Sequence, residues 1–156
     1  MIFKKRKIIK LLLKKNLTVS TAESCTGGFL SKVLTDYPGS SAFFLGGIVA
    51  YSNSVKEKVL NVSHNSLIKY GAVSEPVCKE MCINVSKIIK SDIGLSVTGI
   101  AGPSGGSVEK PVGTVFIGIC FKKKVTVKKF IFKGLRKSIR EQTVKKTLEL
   151  LYSVIS

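Results

Sequence analysis

The segment 21–28, TAESCTGG, sets a serine, a thiol and two glycines where a short β-prone run gives way to a helical pattern. A side chain on such a turn is held at the rim of a sheet. Backbone N–H groups at the start of a helix lack intrahelical partners and carry partial positive charge. They can stabilise the oxyanion of an acyl-transfer intermediate. Ser24 is thereby placed for nucleophilic attack, with the N–H groups of Cys25, Thr26 and Gly27 as oxyanion donors. Gly27 and Gly28 let a substrate approach the backbone closely. Cys25 is a rival nucleophile, because a helix N-terminus lowers a thiol pKa. Thiol catalysis usually recruits a histidine, and the chain has only His64. The same residues also fit a plain helix cap before a Gly-rich turn, and the segment alone does not separate the two.

Two further constellations suit a phosphorylated ligand. The loop 98–106, TGIAGPSGG, follows a strand-like run. The Thr98 hydroxyl and the loop amides about Gly99, Ala101 and Gly102 could hold a phosphate or ribose. Arg136 and Arg140 are two of only three arginines, four apart on one helix face. A pair at that spacing can fork a phosphate monoester. The alternative is a surface ion pair with Glu141 or another acid.

These residues need a scaffold, and the patterning predicts an α/β one. Helical periodicity covers 3–15, 27–35, 54–60, 75–90 and 136–153, and strand-like runs cover 17–22, 46–52 and 93–98. Residues 112–121 and 124–132 form two β-rich runs about Lys122, Lys123 and Lys124, which predicts a hairpin. Strands alternating with helices imply a single-domain α/β/α sandwich with a mixed central sheet over 1–156.

Composition narrows the class. The chain has 156 residues, 44% hydrophobic and 22% charged, which fits one folded domain. No apolar run reaches the roughly 18 residues of a membrane span. Residues 2–15 are basic and apolar, but Lys10 interrupts the apolar run and no small-residue cleavage site follows. An amphipathic first helix, with Ile8, Ile9, Leu12 and Leu13 as its stripe, is favoured over a membrane-surface helix. The four cysteines, Cys25, Cys78, Cys82 and Cys120, include no second pair at metal-ligand spacing, so no metal is expected and free thiols in a reducing cytoplasm are. The net charge of +17 comes from 23 lysines and 3 arginines, and it looks like a general lysine bias spread over the chain. Arginine, preferred for base and bidentate phosphate contacts, is scarce. Salt-sensitive contact with polyanions follows, but no specific nucleic-acid partner and no membrane partner.

TAESCTGG at 21–28 resembles the signature of the CinA C-terminal domain family, the nicotinamide-nucleotide amidohydrolases. The similarity continues through AYSNSVKEKVLNV at 50–62, GAVSEPV at 71–77, SVTGIAGPSGG at 96–106, KPVGTVFIGI at 110–119 and GLRKSIREQTV at 134–144. It covers roughly residues 8–152, in order. The resemblance implies a standalone form, without the molybdopterin-binding-like domain that some members add. It implies hydrolysis of nicotinamide mononucleotide to nicotinate mononucleotide and ammonia, without a cofactor. It puts the catalytic serine on Ser24 and the accompanying tyrosine and lysine on Tyr51 and Lys56. Lysine can take a serine proton on folds that lack a catalytic histidine, and Tyr51 could relay a proton or orient the amide. Lys58 is the next lysine if the register is shifted. Two positions depart from the pattern: Ser104 replaces an acidic residue, and Leu135 replaces the Asp of a Gly-Asp-Arg run. They keep open the alternative of a catalytically silent nucleotide-binding or regulatory module of the same fold. Assembly as a homo-oligomer is also left open.

Overall fold

The computed structural model describes residues 2–156, with side chains from Arg6 onward. Five strands make one sheet: β1 (Val19–Glu23), β2 (Phe44–Val49), β3 (Ile93–Gly99), β4 (Thr114–Phe121) and β5 (Lys124–Ile131). Their spatial order is β2-β1-β3-β4-β5. β1 pairs in parallel with β2 and with β3, whereas β3–β4 and β4–β5 are antiparallel. The helices are α1 (Ile2–Lys14), α2 (Phe29–Thr35), α3 (Asn53–Lys58), α4 (His64–Tyr70), α5 (Glu75–Ile89) and α6 (Arg136–Ile155).

The sheet is covered on both faces. On one, Ile8 and Leu12 of α1, Leu30 and Val33 of α2 and Ile139, Leu148 and Leu151 of α6 pack over Ile93, Leu95, Val97, Val115 and Ile117. On the other, Val77, Met81 and Val85 of α5 pack with Leu60, Val62 and Leu67 against Ala22. The period-2 alternation of strands divides β3 between these cores. The α5-facing positions of β3 and of its partner β4 are small. A Cβ on Gly94 would fall 2.0 Å from the Cys82 carbonyl oxygen, and one on Gly118 would fall 2.4 Å from Ser96 Oγ. The Ser96 hydroxyl donates to the Cys78 carbonyl at 2.7 Å. α5 therefore lies directly on the sheet backbone, with Cys78 and Cys82 buried there as free thiols.

The predicted mixed sandwich is what the chain forms, and the hairpin turns at Lys122 and Lys123, both in the left-handed region (φ 50° and 64°). Three details differ. α2 begins at Phe29 rather than at residue 27, because Gly27 and Gly28 take φ values of 56° and 91°. α4 and a short 3-10 turn at Ser40–Ala42 were not expected: α4 buries only Leu67, too little for a readable stripe. In α1 the stripe is narrower than expected, since Leu13 is 45% exposed.

Three parallel strands end at one edge of the sheet. The segments that leave β1, β2 and β3 must meet there, the usual place for a ligand in an open α/β sheet.

Candidate active site

Ser24 follows β1 directly and is pinned across to β3, its N–H donating to the Val97 carbonyl at 2.9 Å. The end of β2 is pinned in the same way, with the Ala50 N–H donating to the Glu23 carbonyl at 2.8 Å. Beyond Ala50 the chain turns into α3, capped by the Ser52 hydroxyl, which accepts the Val55 N–H at 3.2 Å. That cap orients the first turn of α3 so that Lys56 runs back under the strand ends. Lys56 is 1% exposed. Its Nζ donates to Ser24 Oγ at 3.1 Å and to the Ala50 carbonyl at 2.8 Å, with the Tyr51 carbonyl at 3.5 Å.

A lysine held among neutral groups and out of water loses part of its preference for the charged form. Burial lowers the Lys56 pKa from its ordinary value. Lys56 is thus equipped to take a proton from Ser24. The same burial acts oppositely on Cys25, whose thiol is pushed up to about 12. Cys25 is therefore a packed thiol rather than a poised nucleophile. Lys58, two residues on in α3, is exposed, and His64 is engaged with Glu57.

The oxyanion donors need correction. The Gly27 N–H donates to the Ser24 carbonyl at 3.0 Å. The N–H groups at the head of α2 are also taken, by Glu23. Its carboxylate accepts from Gly28 N at 3.1 Å, Leu30 N at 3.0 Å, Ser31 N at 2.7 Å and Ser31 Oγ at 2.6 Å. A helix start that is neutralised by a buried acid is no anion site. Cys25 and Thr26 remain, since their N–H groups donate to no backbone carbonyl among the described residues. Thr26 Oγ1 is buried there without a partner.

The two arginines do not converge as a fork. Arg136 donates through Nη1 to the Gly102 carbonyl at 2.8 Å and through Nη2 to the Tyr51 hydroxyl at 2.7 Å. It ties together the segments that follow β2 and β3. Arg140 donates through Nη2 to the Thr26 carbonyl at 2.7 Å, and its Nε is buried without a partner. Among the described residues neither forms an ion pair with a carboxylate. Tyr51 is 58% exposed, with its hydroxyl on Arg136 rather than on the Ser24–Lys56 pair. The Thr98 hydroxyl is committed to the Ala72 carbonyl at 2.8 Å, and the Ile100 N–H to the Thr114 carbonyl at 2.9 Å, so neither is turned to a ligand. Gly99 closes β3, Ala101 and Gly102 are buried, and Ser104 is exposed at the loop tip. Beside the Ser24 turn opens a cleft of about 410 Å³ lined by Gly27, Gly28, Phe29, Lys32, Lys137, Arg140 and Glu141.

The model of the CinA C-terminal domain matches residues 3–155. The chain belongs to the CinA C-terminal domain family. A CinA-like protein of Endomicrobium trichonymphae is 51% identical over 142 residues, which is 91% of this chain and 33% of that protein. The chain spans about a third of the length of the curated relatives it matches. Among solved structures, the competence/damage inducible protein CihA from Agrobacterium tumefaciens superposes with a TM-score of 0.95 at 37% identity, over 98% of this chain and 94% of that one. A CinA superfamily protein from Klebsiella pneumoniae gives 0.94 at 30% identity, over 97% and 95%.

Within this CinA domain, sequence reasoning missed two parts of the site. Glu23 is one. It sits between two residues of the motif and reads as a charged surface position, yet it is fully buried. The other is the Ala50 carbonyl, a backbone group that no side-chain pattern could announce. No helix among the described residues is long and apolar enough to cross a membrane.

Proposed function

We propose that this CinA domain hydrolyses the carboxamide of nicotinamide mononucleotide, releasing ammonia and nicotinate mononucleotide. The observation that carries this reading is the buried contact of Lys56 Nζ with Ser24 Oγ at 3.1 Å, at a lysine whose pKa is lowered. The substrate class rests on the family resemblance. The cationic cleft beside the turn supports it, being suited to a phosphate monoester.

Lys56 in its neutral form keeps its N–H bonds to the carbonyls and turns its lone pair to the Ser24 hydroxyl. Ser24 Oγ attacks the amide carbon as its proton passes to Lys56. The oxyanion of the tetrahedral intermediate lies toward the free amides of Cys25 and Thr26. Collapse expels ammonia, which takes the proton from Lys56. A water molecule then gives its proton to Lys56 and attacks the acyl-enzyme, and Ser24 leaves with that proton. Arg140 and the cleft cations hold the phosphate, and Tyr51, its hydroxyl held by Arg136, orients the substrate. No step calls on a metal or an organic cofactor.

The test is ammonia release by purified protein from the mononucleotide, against nicotinamide riboside and free nicotinamide. The mononucleotide should be the preferred substrate by roughly ten- to a hundredfold over the riboside, the worth of one charge-assisted contact. Ammonia release from none of the three, by folded protein, would leave the silent nucleotide-binding module as the better account.

A further inference from the structure

We infer that the face formed by α1, α6 and β5 is a docking surface for the phosphate backbone of duplex nucleic acid, bound without regard to sequence. The lysines are not spread evenly, as their number suggests. Residues 1–15 and 122–146 hold 18 of the 26 basic residues and a single acid, Glu141. The rest of the chain balances eight cations against eight carboxylates, so the whole net charge of +17 lies in two segments. A general lysine bias would have raised both parts alike.

The fold brings those two segments together. Ile8 and Leu12 of α1 join Leu148, Leu151 and Ile155 of α6 in one core, and the Lys15 ammonium donates to the Ile155 carbonyl. α6 in turn meets β5, where Lys146 lies over the Phe130 ring at 5.7 Å. Arg6, Lys7, Lys10 and Lys14 are exposed on α1, Lys137 and Lys145 on α6, and Lys122, Lys123, Lys124, Lys128 and Lys133 on β5 and its flanks. α6 has 20 residues, which at 1.5 Å per residue is about 30 Å, the length of roughly nine base pairs.

The chemistry of the face selects its partner. A face dominated by lysine, with Arg6 the one arginine among these exposed residues, offers mainly point charges for phosphates and little for base edges. The aromatic residues nearby are not free to stack on unpaired bases: Phe121, Phe130 and Phe132 are only partly exposed and packed against the core. A lipid surface is disfavoured because the apolar stripe of α1 is turned inward on α6. Lysines on an edge strand also keep it from pairing with other chains, which accounts for Lys124 and Lys128 but not for α1.

The measurement is fluorescence anisotropy of a labelled mixed-sequence duplex of about 30 base pairs, from about 50 to about 200 mM salt. With four phosphates neutralised, affinity should fall about a hundredfold over that range. The variant carrying Lys7→Gln, Lys10→Gln, Lys124→Gln and Lys128→Gln should bind at least about tenfold more weakly. A control with Lys58→Gln, Lys69→Gln, Lys79→Gln and Lys87→Gln removes as much charge from the other face and should stay within about twofold. Unchanged melting temperatures show that both variants are folded. Absence of binding at low salt, or equal weakening in both variants, overturns the proposal. Tighter binding to phosphatidylserine vesicles, or to a single strand of the same length, overturns the duplex assignment. The experiment does not involve Ser24, so it stands or falls apart from the proposed hydrolysis.

Discussion

Lys56 Nζ and Ser24 Oγ lie 3.1 Å apart although 32 residues separate them in sequence. The contact depends on two strand ends being level. The Ala50 N–H bonded to the Glu23 carbonyl, and the Ser24 N–H bonded to the Val97 carbonyl, set that level. The pair is a product of sheet register, and its chemistry can be tested one residue at a time.

Ser24→Ala should abolish ammonia release while leaving the melting temperature nearly unchanged. Losing an activated nucleophile costs several orders of magnitude in rate. Cys25→Ser should remain active, since its thiol, pushed up to about 12, takes no part. Activity of Ser24→Ala within about tenfold of wild type would remove the serine from the mechanism.

In the proposed mechanism Lys56 sets the pH profile. Because burial lowers its pKa, the neutral base accumulates below the ordinary lysine range, and kcat should rise with pH through one titration there. Lys56→Arg should be inactive, because guanidinium stays charged. Lys58→Ala should be close to wild type. An active Lys56→Arg with an unchanged profile would assign the base elsewhere.

The same lysine has a stability signature. A pKa lower in the folded than in the unfolded chain means that the unfolded chain binds more protons between the two values, so stability rises with pH in that window. Lys56→Met removes the buried ammonium and should be more stable at neutral pH, by about 1 kcal/mol. The advantage should shrink as pH rises through the Lys56 pKa toward the unfolded value of about 10.4. Urea denaturation at several pH values reads this directly. An advantage that grows with pH would have the wrong sign.

Glu23→Ala should destabilise the fold by roughly 2–4 kcal/mol, because it strips the acceptor from three backbone N–H groups and the Ser31 hydroxyl in a buried setting. Hydrogen exchange should rise first at Gly28, Leu30 and Ser31. Unchanged protection at those amides would contradict the capping role.

Gly94→Ala tests the seat of α5. Its Cβ would meet the Cys82 carbonyl oxygen at 2.0 Å, and backbone on both sides leaves little room to yield. A loss of about 3 kcal/mol or more is expected in chemical denaturation. A loss below about 1 kcal/mol would mean that α5 shifts freely on the sheet.

The sheet and its flanking helices were legible because their apolar periods are plain: Ile93, Leu95 and Val97 alternate with small residues, and Val77, Met81 and Val85 repeat at helical spacing. The site was legible only in part. Ser24 stands out by its turn. Lys56 was named by its place in the motif and not by its type, which 22 other lysines share, and what distinguishes it physically is burial, which three-dimensional packing creates. Gly27 was expected to offer its amide, but the turn through Cys25 and Thr26 commits that N–H to the Ser24 carbonyl. Arg136 and Arg140 share a helix face, as their spacing requires. Their long side chains nevertheless reach different carbonyls, a choice that sequence spacing does not encode.

The change from parallel to antiparallel pairing at β3 also divides the sheet by the length of chain each contact must close. β4 and β5 meet through a turn at Lys122 and Lys123, and β3 reaches β4 after a single loop. β1 must find β3 across about 70 residues of intervening chain, and such distant pairings form slowly because their closure entropy comes before any gain. The β3–β5 meander can form early, whereas the Ser24–Lys56 pair exists only once β1 has been inserted between β2 and β3. In refolding, recovery of activity should therefore lag behind protection of the β4–β5 amides.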